Sequence, residues 1–247
     1  MANINRCSDL EGEFNLSGSE ISRCQSCITK WLDAQFGHLV LDDAAPPATW
    51  PAGQPTGLRR WHSQVDAWKQ AVKTALQAAG IPELDDVFGE VCLFLDGFFA
   101  GIARPSAGVF RDLQRAFYTR FQEGHGMLFQ SVIAPTGLFV DVYVPSPWHQ
   151  NDINNQAASK ISQRLLELFG DEGGTAYGDG IYQVTASITH GLIVPEHITR
   201  MNRALNGLRV CVENGFSKLT QLWKFMRALS TNVKFDVRVS QCYGRSV

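Results

Sequence analysis

The sequence predicts an α/β fold with a helical addition at its N-terminal end. Two amphipathic helical patterns come first, and from Val87 the pattern changes to short apolar runs that are bounded by glycine and proline and separated by further helices. The 247 residues are 45% hydrophobic and 11% aromatic. A chain of this size and composition can bury one large core, which argues against disorder.

The first two predicted helices each carry one apolar stripe. One begins at Ser17 or Ser19, either of which could cap it, and the other runs from about Leu58 to Ala79, with Gly80 and Pro82 at its end. A loop rich in proline and glycine separates them. The stripes comprise Ile21, Cys24, Ile28, Leu32 and Phe36 in the first helix, and Trp61, Val65, Trp68, Val72, Leu76 and Ala79 in the second.

Strand-like segments dominate the middle of the chain. Three candidates are GEVCLFLDG, GMLFQSVIAP and GLFVDVYVP, the first of which ends near Asp96. They are followed by a helix from about Ile153 to Phe169 with Asp152 as its N-cap, a short strand TAYG, and a last helix from about Arg200 to Leu229. This succession predicts a mixed α/β domain.

Charge and cysteine content limit the function classes. The net charge of −2 gives no electrostatic indication of nucleic-acid binding. Six cysteines in a chain without a signal-peptide pattern suggest reduced thiols, and no apolar run is long enough to cross a bilayer. Cys24 and Cys27 form one CxxC pair without a second pair at zinc spacing, so a zinc or redox role is the less favoured interpretation.

Three acidic residues are candidates for metal ligands. Asp96 ends the first predicted strand, Asp179 follows TAYG between two glycines, and Glu213 lies at the margin of the apolar stripe of the last helix. Carboxylate oxygens suit Mg²⁺ or Mn²⁺, and two such ions about 3.5–4 Å apart support phosphodiester cleavage. The alternatives are a turn or cap for each aspartate and an ion pair for Glu213.

Five ordered motifs between about residues 87 and 227 resemble the PIF/Harbinger-type DDE transposases, also described as DDE superfamily endonucleases. The motifs are LFLDGFFAGIARP, the segment from QRAFYTRF to VDVYVP, WHQNDINN, AYGDGIY and LNGLRVCVENGFSKLTQLWKF. The interval of thirty-four positions from Asp179 to Glu213 suits the last aspartate-to-glutamate spacing of that class.

The resemblance implies an RNase H-like fold, in which helices flank a mixed five-stranded sheet. Asp96 would lie on the first strand, Asp179 after the fourth and Glu213 on the helix after the fifth, which is expected between Ile181 and Ile198, near GLIV. It also implies a DNA endonuclease or transposase that uses Asp96, Asp179 and Glu213 to hold two Mg²⁺ or Mn²⁺ ions, with optional joining of a 3′-OH to target DNA.

Four further residues are candidate DNA contacts: Arg104, His125, Arg209 and Lys218. For the three basic side chains a local or structural ion pair is the alternative, and for His125 it is a structural hydrogen bond. Asp152 lies in the WHQNDINN motif, and its two interpretations are helix N-cap and fourth site carboxylate.

The expected organisation is an N-terminal helical region (1–86), an RNase H-like nuclease domain (87–230) and a diverged or truncated tail (231–247). The expected partners are the DNA of transposon ends, a separate Myb-like DNA-binding protein and a second copy of the chain, with no membrane. The expected location is the nucleus, or the cytoplasm without an import partner.

The retained carboxylates favour a nuclease. The near-neutral charge favours the alternative, a domesticated or decayed relative that binds DNA or protein without cutting. An RNase H-like nuclease of repair or RNA is a more remote alternative.

Overall fold

A computed structural model describes residues 15, 17–36, 57–81, 83, 88, 90–102, 104, 111–120, 123–147, 151–191 and 196–222. The chain divides into two compact units, Met1–Gly57 and Leu58–Val247. The predicted tail, 231–247, lies outside the described residues. No helix among them is both long enough and apolar enough to cross a membrane.

In the first unit, helix α1 spans Gly18–Phe36 and begins as predicted from a serine cap. Ser17 Oγ accepts a hydrogen bond from the Glu20 backbone N–H, and Glu20 Oε2 accepts one from the Ser17 backbone N–H, so the two residues satisfy each other's donors. The predicted buried stripe is wrong at Cys24 and Ile28, which are exposed, whereas Ile21 is buried.

The second unit alternates strands and helices in the predicted order. A 3-10 helix, Gly57–Gln64, precedes the first α-helix of this unit, and a second 3-10 helix, Gly170–Glu172, follows the α-helix that ends at Phe169. The elements are α2 (Val65–Ala78), β1 (Val91–Ile102), α3 (Arg111–Phe117), β2 (Tyr118–Thr119), β3 (Gly124–Ile133), β4 (Phe139–Pro147), α4 (Asp152–Ala158), α5 (Ile161–Phe169), β5 (Thr175–Gly178), β6 (Ile188–His190) and α6 (Glu196–Leu222).

The strands form one mixed sheet of six. β1 is central: it pairs antiparallel with β3 and parallel with β5, and β5 pairs parallel with β6. β4 and the two-residue β2 both pair antiparallel with β3. The general α/β prediction is confirmed, with one strand more than the five expected.

Two apolar clusters cover the two faces of the sheet. Alternate residues of β1 divide between them, since successive side chains of a strand point to opposite faces. Leu93 and Leu95 join the cluster of α5, and Phe94 joins the cluster of α6. The buried stripe predicted for the second helix is confirmed within α2, where Trp68 belongs to the first cluster and Val72 to the second, but it is wrong at Ala79, which is exposed.

Three predicted boundaries differ from the structure. β1 does not end at Asp96 but continues to Ile102, because Phe98 packs on the α6 cluster and keeps the strand paired with β3. The helix predicted from Ile153 to Phe169 is broken after Ala158, where Lys160 takes a left-handed backbone conformation (φ 51°). The helix predicted from about Leu58 becomes an α-helix only at Val65, after the 3-10 helix Gly57–Gln64. The last strand, Ile188–His190, lies within the predicted interval and directly before GLIV, as expected.

Candidate active site

Asp96 lies within β1, and Asp179 directly follows the end of the adjacent parallel strand β5. Phe94 of β1 pairs with Tyr177 of β5, and each aspartate comes two residues after that pair along the chain. The charge of Asp179 also acts on Asp96, so the two carboxyl groups lie near each other. The Asp96 side chain is about four-fifths buried, whereas Asp179 is exposed.

Each aspartate is fixed by the backbone N–H of the glycine after it. The Gly97 N–H donates to Asp96 Oδ1 at 2.8 Å, and the Gly180 N–H donates to Asp179 Oδ1 at 2.5 Å. These bonds leave the second oxygen of each carboxylate free of that constraint. The two carboxylates are therefore oriented by their own chain segments.

Helix α6 places Arg209 and Glu213 over the same face. Arg209 Nη1 donates to Asp96 Oδ2, and Arg209 Nη2 lies 3.9 Å from Glu213 Oε1, one helical turn away. The Arg209 side chain is four-fifths buried, whereas that of Glu213 is mostly exposed. Arg209 thus connects Asp96 to Glu213, as the ion-pair alternative expects, while Lys218 is exposed.

The surroundings of Asp96 favour its protonated form. Burial, together with the carboxyl groups of Asp152 and Asp179, raises the pKa of Asp96 to about 6. The Arg209 guanidinium and the Gly97 N–H act in the opposite direction but do not outweigh burial. A buried carboxylate with acidic neighbours is a common feature of functional sites.

Asp152 approaches β1 from the opposite face. A Cβ built on Gly97 would lie 2.5 Å from Asp152 Oδ1, and side-chain alternation directs that Cβ away from the face of Asp96. Asp152 is the first residue of α4 and not its N-cap, because Asn151 Oδ1 accepts the N–H of Asn154. The predicted cap role of Asp152 is therefore wrong.

Asp152 lies in a poorly satisfied polar environment. Its Oδ1 is buried without a hydrogen bond, and the Tyr182 hydroxyl is likewise buried without a well-formed one. Burial, and then the Asp179 carboxylate, raise the pKa of Asp152, which the nearby Tyr182 hydroxyl lowers. Burial and the aspartates raise the pKa of Tyr182, so this hydroxyl stays protonated. These contacts link Asp152 electrostatically to the pair on the other face.

The close approach of Asp152 makes Gly97 intolerant of a side chain. We expect Gly97→Ala to lower the free energy of unfolding by about 1–3 kcal/mol, because the new methyl group overlaps Asp152 Oδ1. The double variant Gly97→Ala/Asp152→Ala should recover most of this loss. Urea unfolding of the two single variants and the double variant gives the coupling energy. A coupling near zero would contradict the contact.

As the side chains stand, no cluster of three or more His, Cys, Asp or Glu residues in the described part of the chain is arranged to hold a metal ion. Asp96 and Asp179 are brought together, but Glu213 faces Arg209. Cys24 and Cys27 are free and exposed.

Arg104 and His125 lie together, apart from the acidic residues. They line a cavity of about 400 Å³ together with Gln114, Arg115 and Tyr118. Sequence patterns did not single out Gln114 or Arg115, and they assigned Tyr118 only to packing. The cavity could have been found from the pairing of β2 with β3, which places Tyr118 directly opposite His125.

No protein-family model, curated protein or solved structure matches this chain.

Proposed function

We propose that the chain is a DDE-type, RNase H-like nuclease that cleaves DNA phosphodiester bonds with the help of divalent metal ions. The observation that carries the proposal is that Asp96 of β1 and Asp179, which follows β5, each come two residues after the pair Phe94–Tyr177 of these parallel strands. The strand order supports it, since, apart from the two-residue β2, three antiparallel strands followed by two parallel ones agree with the resemblance to this family. Helix α6 then contributes Glu213 to the same face.

The residues present fit a hard divalent cation in donor type. Asp96, Asp179 and Glu213 offer oxygen ligands, which Mg²⁺ and Mn²⁺ prefer. A bound ion would lower the pKa of an attacking water and stabilise the leaving oxygen. Asp152 adds a negative charge on the other face of β1, and this charge contributes to the raised pKa of Asp96.

Arg209 gives the site a charge-balanced form without a metal. Its guanidinium neutralises Asp96 and lies near Glu213. If Asp96 held a metal ion instead, the Arg209 guanidinium would be available to a DNA phosphate. Arg209 could thus pair with the Asp96 carboxylate in the metal-free chain and with a phosphate in the metal-bound chain.

The test is cleavage of a labelled DNA duplex with 5–10 mM Mg²⁺ or Mn²⁺. We expect the wild type to nick the duplex and Asp179→Asn to lose on the order of 10²-fold or more of the rate, because a charge-stabilising ligand is removed. Asp179 is exposed, so this substitution should leave the fold intact. The matched control is Asp171→Asn, an exposed aspartate in the 3-10 helix before β5.

Two results would contradict the nuclease. One is the absence of metal-dependent nicking by a folded wild type, and the other is equal nicking by the wild type and Asp179→Asn. Loss of activity in Asp171→Asn would show that the assay reports general charge rather than this site.

The second candidate is a decayed relative that binds DNA or protein without cutting. The Arg209–Asp96 ion pair favours it, because a stable internal pair removes the need for a metal. A wild type that binds duplex DNA in EDTA but never nicks it would support this candidate. Transposon ends as the substrate, a Myb-like partner, a homodimer and nuclear location are proposed from the resemblance alone.

A further inference from the structure

The cavity lined by Arg104, Gln114, Arg115, Tyr118 and His125 is remote from the acidic residues. Asp96 pairs with Ser131 and Ile102 pairs with His125, six residues further along each strand. At roughly 3.3 Å per residue this separation is about 20 Å. The cavity therefore belongs to another part of the surface of the same unit.

Two guanidinium groups give the cavity its charge. Arg104 and Arg115 are both exposed, and neither forms a salt bridge with any carboxylate whose side chain the structure describes. Arg104 Nη2 donates to Gln114 Oε1 at 3.4 Å, which holds the guanidinium at the cavity. Guanidinium groups bind phosphate through paired N–H donors, so the cavity suits a phosphate group.

An aromatic pair supplies a second kind of contact. The rings of Tyr118 and His125 meet edge to face, with centroids 5.3 Å apart, and Tyr118 is 42% exposed. Burial and the Arg104 charge lower the pKa of His125, which favours the neutral imidazole near pH 7. A partly exposed aromatic ring beside cationic groups is the usual platform for an unstacked base.

The cavity is open to solvent on one side, so it can admit part of a polymer strand. Its volume of about 400 Å³ exceeds the need of a bare phosphate. The Gln114 amide supplies a polar group beside the ring, where the edge of a base can form hydrogen bonds. A site that contacts the phosphate, the face of the base and the edge of the base suits a nucleotide that is not base-paired.

We propose that this cavity binds one unpaired nucleotide of a nucleic-acid strand, with its phosphate on Arg104 and Arg115 and its base on Tyr118. This inference deepens the proposed function, on which its role as a substrate contact rests. It adds that the DNA carries an unpaired nucleotide about 20 Å from the acidic residues. Binding itself requires neither cleavage nor metal.

The first test is calorimetric titration of the full chain with deoxyadenosine monophosphate in EDTA. We expect the nucleotide to bind at least about 10-fold more tightly than inorganic phosphate or deoxyadenosine, because only the nucleotide engages both groups. Tyr118→Ala should weaken it by about 5- to 150-fold, the range for one lost base stack. Arg104→Gln and Arg115→Gln should each weaken it by about 10-fold, as for a lost charged hydrogen bond.

The matched control is Arg120→Gln, which removes the same charge from an exposed residue just after β2 that does not line the cavity. It should change binding by less than about 2-fold. Circular dichroism and urea unfolding of all four variants should match the wild type, since the substituted side chains lie at the surface. Asp179→Asn should bind the nucleotide as the wild type does, which separates this inference from the proposed cleavage.

A second measurement uses a labelled single strand and its duplex. Fluorescence anisotropy should give tighter binding of the single strand, and Arg104→Gln should reduce the salt slope by about one. Equal affinity for phosphate and nucleotide would overturn the proposal in favour of an anion site. Equal effects of Arg120→Gln and Arg104→Gln, or tighter binding of phosphotyrosine than of the nucleotide, would overturn it as well.

Discussion

Arg209→Met should lower the free energy of unfolding by about 2–4 kcal/mol at pH 8, in EDTA. Removing one partner of a buried ion pair leaves the other charge without compensation, and Asp96 and Arg209 are each about four-fifths buried. At pH 5 the loss should fall to about 1 kcal/mol, because the pKa of Asp96 is about 6 and the carboxyl is then mostly protonated. Urea unfolding at both pH values measures the difference.

The control for this substitution is Arg203→Met, which removes an exposed arginine from the same helix. It should cost less than about 0.5 kcal/mol at either pH, as surface changes usually do. An equal loss for Arg209→Met at pH 5 and pH 8 would contradict the ion pair as its cause and would indicate lost packing instead.

Asp96→Asn should remove a pH dependence of stability between about pH 4 and pH 6. The pKa of Asp96 is raised in the folded chain, so the folded state binds more protons than the unfolded state in this window. Stability of the wild type therefore falls as pH rises through the window, by about 2–3 kcal/mol for a shift of this size. Asp96→Asn carries no titrating group there, so relative to the wild type it should gain this amount as pH rises.

Unfolding midpoints at intervals from pH 4 to pH 8, with EDTA, measure this effect, and Asp171→Asn is the control that should follow the wild-type curve. Parallel curves for the wild type and Asp96→Asn would contradict the raised pKa. Repeating the series with Mg²⁺ links it to the proposed function. Metal binding to the ionised carboxylate should restore wild-type stability above pH 6 and leave Asp96→Asn unchanged.

Much of the fold was predictable because its signals are local. The apolar periods predicted α2, the core strands and the last helix, and the serine cap at Ser17 or Ser19 predicted the start of α1. The break at Lys160 was not predictable, because no glycine or proline marks it. The continuation of β1 beyond Asp96 was also missed, since a polar residue in an apolar run has the same appearance as a strand end.

The candidate site was predictable only in part, because its contacts join distant residues. Asp96 and Asp179 were found because each follows an apolar strand-like run, and the parallel pairing of β1 with β5 then brings the two runs side by side. The pairing of Asp96 with Arg209 spans 113 positions, and the contact of Gly97 with Asp152 depends on where α4 crosses the sheet. Such contacts are set by the tertiary arrangement, so the sequence predicts the residue types but not their partners.

The central position of β1 also sets an order of assembly for the acidic pair. β1 finds its antiparallel partner β3 through a short connection, whereas its parallel partner β5 lies some eighty residues away along the chain. Closing the longer loop costs more conformational entropy and is slower. The antiparallel strands can therefore form while Asp96 and Asp179 are still apart. The like-charged pair is joined only when β5 docks, so its mutual repulsion opposes that docking step and not the earlier pairing of β1 with β3.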